Sequence, residues 1–307
     1  MEDRNILIIE LRPGIGDLCM FLPRFHEISK KYPKSKIILL TKSRTKAKQL
    51  LKYDKSIHGI EFIDNLKTGK KKGMIFLIKL FRKYRFKLVF SYQYGPKYLK
   101  YIFVSKLFNS KTYYYGIFKK KEPLMLRAIK ANEDWLKIFI KERVNRIPVK
   151  GQDKQKKRQI VIGLGASGDN KRWPTSNFIK LILILKRNNF EFILAGGEKE
   201  TEIINTIKSK NLDIDLISLE KFNLELSIQI IKNSMYHIGN DSGFMHICAG
   251  LGMKSFCLYG DTPSVDALYN KKIIPILPRG YSKVDHDSNV MDKINVDWVL
   301  QVFRKYS

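Results

Sequence analysis

Short apolar runs, each ending in a small-residue or polar loop and followed at once by a helix-forming stretch, recur along this chain. That rhythm admits few folds. Asn5 to Glu10 (NILIIE) opens the series without any alternation of apolar and polar residues, the pattern of a strand buried on both faces of a parallel sheet. It leads through Gly14-Ile15-Gly16-Asp17 into a helical stretch from Leu18 to Lys31. Lys36 to Thr41, Gly59 to Ile63 and Leu88 to Ser91 read as further strands with amphipathic segments between them. After Asn145 to Arg158 (NRIPVKGQDKQKKR), a charged run with Pro and Gly and few apolar residues, the rhythm restarts. Strands are expected at Ile160 to Gly163, Glu191 to Ala195, Ile214 to Ser218, Tyr236 to Gly239 and Ser255 to Tyr259. Helices are expected at Thr175 to Asn188, Glu198 to Lys210, Asn223 to Asn233 and Gly243 to Leu251. The expectation is α/β architecture, two Rossmann-like doubly wound domains spanning residues 1–154 and 155–307, with ligands in the cleft beyond the carboxyl ends of the strands.

Charge is the compositional outlier, with 58 Lys and Arg against 29 Asp and Glu, a formal net charge of +29. From Lys67 to Lys121 there are sixteen basic residues and no acidic one, interleaved with aromatics such as Phe81, Tyr84, Tyr92, Tyr94 and Tyr98. Such a segment fits nucleic acid, an anionic lipid surface or a phosphorylated glycan, or is simply a set of solvated helix faces. Cys19, Cys248 and Cys257 are scattered without CxxC spacing, which disfavours a metal site or a disulfide framework and fits a reducing compartment. The start of the chain lacks the features of a secretory signal, and no apolar run approaches the length of a membrane span.

Three loops at strand ends carry the residue types that chemistry needs. Arg12-Pro13-Gly14-Ile15-Gly16-Asp17 joins two glycines to a carboxylate, so Asp17 is either a helix cap or a general base facing the cleft. GIGD is not GxGxxG, and Thr41-Lys42-Ser43 stands where a dinucleotide site would have its acidic residue. Gly165 to Pro174 (GASGDNKRWP) offers backbone amides, the Ser167 hydroxyl and the charges of Lys171 and Arg172, which suit a diphosphate, while Trp173-Pro174 starts the next helix. Gly239 to His246 (GNDSGFMH) places the Ser242 and Gly243 amides at a helix N-terminus, with His246 one turn further on. Gly196-Gly197-Glu198-Lys199-Glu200 ends another strand; its carboxylates can accept ribose hydroxyls, with Glu198 capping the helix.

Taken in this order the loops resemble glycosyltransferase family 9, the lipopolysaccharide heptosyltransferases. The Gly-Asp turn with Leu22-Pro23 and Tyr32-Pro33, the Lys-x-Trp-Pro of Lys171 to Pro174, the Gly-Gly-x-x-Glu turn ending at Glu200 and Asp241-Ser242-Gly243-x-x-His246 carry the likeness, and Met291 to Phe303 is similar to the family's closing helix. The resemblance implies a GT-B fold, with the acceptor on the N-terminal domain, the nucleotide sugar on the C-terminal one and the last helix placed to pack back on the N-terminal domain. It implies an inverting transfer that needs no metal or other cofactor. Asp17 would be the catalytic base, beside Arg12, Gly14 and Gly16 on the acceptor and phosphate side, and Lys171 would steady the leaving diphosphate. Ser167, Asp241, Ser242, Gly243 and His246 would hold the donor, Glu200 the ribose, and Phe222, by position alone, the adenine.

The leading expectation is therefore transfer of heptose from ADP-heptose to an anionic lipid-linked glycan, by a cytoplasmic enzyme in peripheral contact with the inner face of the cytoplasmic membrane and without a nucleic-acid partner. Two rivals stand beside it. One is a relative using another nucleotide sugar for O-antigen or capsule; the other is a basic nucleic-acid-binding α/β protein resting on the Lys67 to Lys121 segment alone.

Overall fold

The computed structural model describes residues 5–65, 70–116, 122–140, 145–151, 155–210, 212 and 215–307. Residues 67–69 and 117–121 of the basic segment, 152–154 of the expected linker and Ile214 of an expected strand lie outside the described residues. The chain divides into two compact units, Met1–Glu142 and Arg143–Ser307. The division falls ahead of the expected position near residue 155 because the intervening segment is packed onto the second unit. Ile147 is buried and donates its N–H to the Gly250 carbonyl at 2.9 Å, and Asn145 is buried as well.

The first unit runs β1 (Asn5–Ile9), α1 (Ile15–Lys31), β2 (Lys36–Thr41), α2 (Ala47–Leu50), β3 (Gly59–Phe62), α3 (Lys70–Tyr84), β4 (Leu88–Ser91), α4 (Leu99–Leu107), β5 (Lys111–Tyr114) and α5 (Leu124–Leu136). Its five strands are all parallel in the order β3-β2-β1-β4-β5. Central β1 is apolar on both faces because both are covered. Leu7 and Ile9 pack with Leu80, Phe81 and Val104 of α3 and α4, while on the other side Phe21 and Phe25 of α1 meet Tyr92, which in turn meets the Trp135 ring of α5. α1 begins three residues earlier than expected, with Gly14 as its N-cap.

The second unit runs β6 (Lys157–Gly163), α6 (Thr175–Lys186), β7 (Glu191–Ala195), α7 (Thr201–Lys208), β8 (Leu216–Ser218), α8 (Leu224–Ile231), β9 (Ser234–Asn240), α9 (Gly243–Gly250), β10 (Lys254–Leu258), β11 (Ile273–Ile276) and α10 (Val296–Tyr306). Its six parallel strands have the order β11-β10-β9-β6-β7-β8. This is the doubly wound arrangement, whose chain direction across the sheet reverses between β6 and β9. Ile160, Ile162, Ile238 and Phe256 face a core closed by Trp173, Phe178 and Leu181 from the α6 side and by Val299, Leu300 and Phe303 of α10. The closing helix thus buries its apolar face within its own unit.

At the reversal the two central strands touch backbone to backbone. A Cβ on Gly239 would lie 2.4 Å from the Gly163 carbonyl oxygen and 2.5 Å from its Cα, and a Cβ on Gly163 would lie 2.3 Å from His237 Nε2. No side chain fits there. Gly239→Ala is therefore expected to lower stability by about 1–3 kcal/mol through overpacking. A urea melt coinciding with that of the parent chain would refute the close approach.

Candidate functional site

The strand ends on either side of the β6/β9 reversal bring three loops of the second unit together. Gly165, just past β6, is placed so that a Cβ on it would stand 3.8 Å from Glu200 Oε2 and 4.0 Å from the Ser242 Cβ. Residues from the loops after β6, β7 and β9 therefore share one small region. Asn240, at the end of β9, holds both ends of the loop after β6, donating from Nδ2 to the Leu164 carbonyl at 2.9 Å and accepting the Trp173 N–H at 3.0 Å. Trp173 is structural, as its position at the helix start implied. It is buried, donates Nε1–H to the Ile294 carbonyl at 2.6 Å, and meets Phe178 edge to face.

Ser242 is the N-cap residue of α9 but its hydroxyl makes no capping bond. Its Oγ is sealed from solvent and has no partner among the described residues, at the positive end of the helix where Gly243 begins the first turn. Such an end is built to receive an oxyanion. His246 lies one turn on, buried, with Nδ1 2.7 Å from the Tyr269 hydroxyl. Asp241, half-buried, is close enough to raise the Cys257 thiol and Tyr259 phenol further after burial has already pushed both up.

The two cations of the β6 loop divide their duties. Arg172 is turned inward, donating Nη2–H to Glu200 Oε1 at 3.0 Å with Asp169 Oδ1 3.4 Å from its Nε. Lys171 stands half-buried beside it, and its ammonium meets no carboxylate among the described residues. Ser167 is exposed on the same loop. Glu200, not Glu198, caps the helix after β7. Its Oε2 accepts the Gly197 N–H at 2.8 Å, three residues back, while Glu198 is exposed. Phe222 is 43% exposed in the turn that follows β8, a separate point along the same sheet edge.

In the first unit Asp17 is in the first turn of α1 and its Oδ2 accepts the Gly14 N–H at 3.0 Å, the carboxylate half of a capping box. The cap uses one carboxylate oxygen only. A Cβ on Gly14 would lie 2.6 Å from that oxygen, so a larger residue there would displace the Asp17 carboxylate, and Gly16 is half-buried in the same turn. Arg12 is engaged by fully buried Glu10 through both carboxylate oxygens, at 3.0 and 2.9 Å, and its guanidinium lies 4.9 Å from the Phe21 ring centre. Burial pushes the Glu10 carboxyl up to about 7, against the opposing pull of Arg12. Glu10 and His237 went unremarked in the sequence because each reads as part of an apolar strand.

A family model, glycosyltransferase family 9 (heptosyltransferase), matches residues 123–293, more than half of the chain. Lipopolysaccharide heptosyltransferase 1 of Campylobacter coli is 30% identical over 133 residues, 40% of this chain and 38% of that protein, so this match spans well under half the length of the relative. Lipooligosaccharide heptosyltransferase 2 of Campylobacter jejuni (serotype O:6) is 25% identical over 83% of this chain and 82% of its own. Among solved structures, a glycosyltransferase family 9 protein of Veillonella parvula superposes with a TM-score of 0.78 at 17% identity, covering 98% and 96% of the two chains. An E. coli heptosyltransferase solved with ADP-2-deoxy-2-fluoro heptose gives 0.76 at 14% identity over 99% and 100%. These structural likenesses bear on the fold, two doubly wound α/β units of the GT-B class.

Beneath the loops, His237 is completely buried on β9 with Nδ1 2.8 Å from Ser255 Oγ. Burial, with a smaller contribution from nearby His246, lowers its pKa to about 3. Because this lies below the unfolded value of about 6.5, His237 contributes stability that is full above that pH and is lost as pH falls toward 3. His237→Asn is expected to flatten the acid side of the stability curve by at most about 1.4 kcal/mol per pH unit. Urea melts of both chains at pH 7 and pH 5 measure the difference, and parallel losses would show that His237 takes up a proton in the folded state.

Proposed function

The chain belongs to glycosyltransferase family 9, the heptosyltransferase family, and we propose that it moves a heptose from ADP-heptose onto an anionic lipid-linked glycan of the lipopolysaccharide core. The observation that carries this reading is the meeting of Gly165, Glu200 and Ser242 at the reversal of the second sheet, with an unpartnered Ser242 hydroxyl at a helix N-terminus. The likeness to heptosyltransferases named for lipopolysaccharide and lipooligosaccharide, and to one solved with an ADP-heptose analogue, supports the substrates.

In this reading the diphosphate lies against the Ser242 and Gly243 amides and the Ser242 hydroxyl, with Lys171 neutralising the charge that grows as the sugar leaves. Asp241, His246 and Ser167 complete the donor side. Glu200 keeps Arg172 and the Gly197 amide while the remaining lone pairs of its oxygens accept ribose hydroxyls, and the exposed Phe222 ring takes the adenine. Asp17 accepts the proton of the acceptor hydroxyl as that oxygen bonds to the anomeric carbon and the nucleoside diphosphate departs. Its Oδ1 is outside any hydrogen bond among the described residues, so the cap and the base occupy different oxygens of one carboxylate.

Peripheral contact with the inner face of the cytoplasmic membrane is part of the proposal. Among the described residues no helix is long and apolar enough to cross a membrane. α4 exposes Leu99, Phe103 and Leu107 at 40, 63 and 61%, at spacings of four that align them along one side, within the Lys67 to Lys121 segment that has no acidic residue.

Asp17→Asn can still accept the Gly14 N–H, so the helix cap survives; turnover is expected to fall at least about 100-fold with nucleotide affinity intact. Normal turnover in this variant would remove Asp17 from the chemistry. ADP, and not GDP or UDP, is expected to raise the melting temperature; stabilisation by UDP or GDP alone would sink the heptose reading. Phe103→Ser with Leu107→Ser is expected to release the protein from sedimenting vesicles of anionic lipid, and unchanged cosedimentation would place the membrane contact elsewhere.

A further inference from the structure

Among the described residues, three arginines but only two carboxylates paired with them gather at the carboxyl end of the first sheet. Arg12 is held by Glu10, and Arg24 by Glu27, which also accepts Asn132 Nδ2–H at 2.8 Å. Arg127 on α5 has neither a carboxylate nor a hydrogen-bond acceptor for its guanidinium among the described residues. It is nonetheless only 7% exposed. Two ring faces hold it, Tyr94 at 4.9 Å and Tyr115 at 4.8 Å from centroid to Cζ. Its Nε is sealed from solvent without an acceptor, and so is the Tyr115 hydroxyl. The outer nitrogens of the guanidinium are not sealed in this way.

Ring faces offset part of the cost of removing a guanidinium from water, but they offer no acceptor for its N–H groups. A planar fork held against two rings, with its outer nitrogens not sealed, can meet two oxygens of a carboxylate or phosphate at once. The Tyr115 hydroxyl feels Arg127, Arg12 and Arg24 as well as Glu10, so it stands in the same cluster. Burial and then Glu10 push its phenol far up, which keeps the proton available for donation. Glu10 and Arg12 are in turn within the field of Asp17, which joins the cluster to the turn where the acceptor hydroxyl is expected to react.

We propose that Arg127, held over the Tyr94 and Tyr115 rings, forms with the Tyr115 hydroxyl a subsite for one oxyanion of the acceptor, a phosphate or a carboxylate. Its assignment to the acceptor rests on the reading of the first unit as the acceptor side. The anion site itself does not depend on transfer.

The test uses the full chain labelled with 5-fluorotryptophan, its three fluorine signals assigned by single Trp→Phe variants. Trp135 reports on the subsite because its ring centre lies 5.7 Å from that of Tyr115, whereas Trp173 sits on the donor-side loop of the second unit. Titration with inorganic phosphate and with acetate, at constant ionic strength, is expected to move the Trp135 signal saturably for at least one of the two. The tighter of the pair identifies the group. Arg127→Gln is expected to weaken that response about tenfold or more, Arg127→Lys to weaken it less, and Tyr115→Phe to weaken it about threefold. Tyr115→Phe removes a single oxygen, so it keeps the question open to measurement should Arg127→Gln fold poorly. A Trp135 signal that ignores both anions, or Tyr115→Phe and Arg127→Lys variants that titrate like the parent, would overturn the subsite. A normal Trp135 response in a protein whose Trp173 signal ignores ADP would keep the subsite and remove the sugar-transfer reading instead.

Discussion

The contact of Gly163 with Gly239 is the constraint on which the second unit's site depends. Two parallel strands that carry side chains cannot bring their backbones this close, and these two do so at the one place in the sheet where the chain direction reverses. The loops that leave them are held together as a result, near enough for Gly165, Glu200 and Ser242 to adjoin. The side chain beneath the contact is His237, whose ring fills the space a Cβ on Gly163 would take. A histidine there is kept neutral, so the floor beneath these loops carries no charge.

Both units end their first or second strand with the same device, a glycine N-cap whose N–H is accepted by a carboxylate three residues on. Asp17 does this for Gly14 and Glu200 for Gly197. A negative group in the first helical turn stabilises the helix that carries it, typically by 0.3–1 kcal/mol at an exposed position. The device also holds a carboxylate at a fixed angle over a strand end. Structural and chemical readings of these residues are therefore compatible, since a capping carboxylate keeps lone pairs for a substrate.

Much of this was legible in the sequence, and the gaps have physical causes. Central strands showed themselves because burial on both faces makes them unbroken apolar runs, and the loops after them showed themselves by glycine and charge. β5 and β11 were missed. Both are edge strands of four residues; Lys111–Tyr114 is half polar, and Ile273–Ile276 contains Pro275, which an edge tolerates and a central strand does not. The polar run from Asn145 to Arg158 looks like open linker because nothing in it marks Asn145 and Ile147 as packed; only Gly250, distant in sequence, sits opposite them. Arg172 read as a free cation until its partner, distant in sequence, came into view, and the tyrosines around Arg127 read only as aromatics in a basic stretch.

The order in which each sheet must be assembled follows from its register. Ile9 pairs beside Ser91, and Gly163 beside Gly239, with whole helices and strands of other partners in between. Neither central pair can close as its first strand leaves the ribosome. Each has to wait for most of its unit to be made, and until then β1 or β6 offers one bare, apolar edge to any other extended chain. The first unit has all five of its strands before β6 is synthesised, so its sheet can be complete by then. The second depends on strands near the end of the chain. The edge of β6 waits for β9 over a stretch comparable to that between β1 and β4, and it does so in the segment that carries most of the proposed donor-side residues.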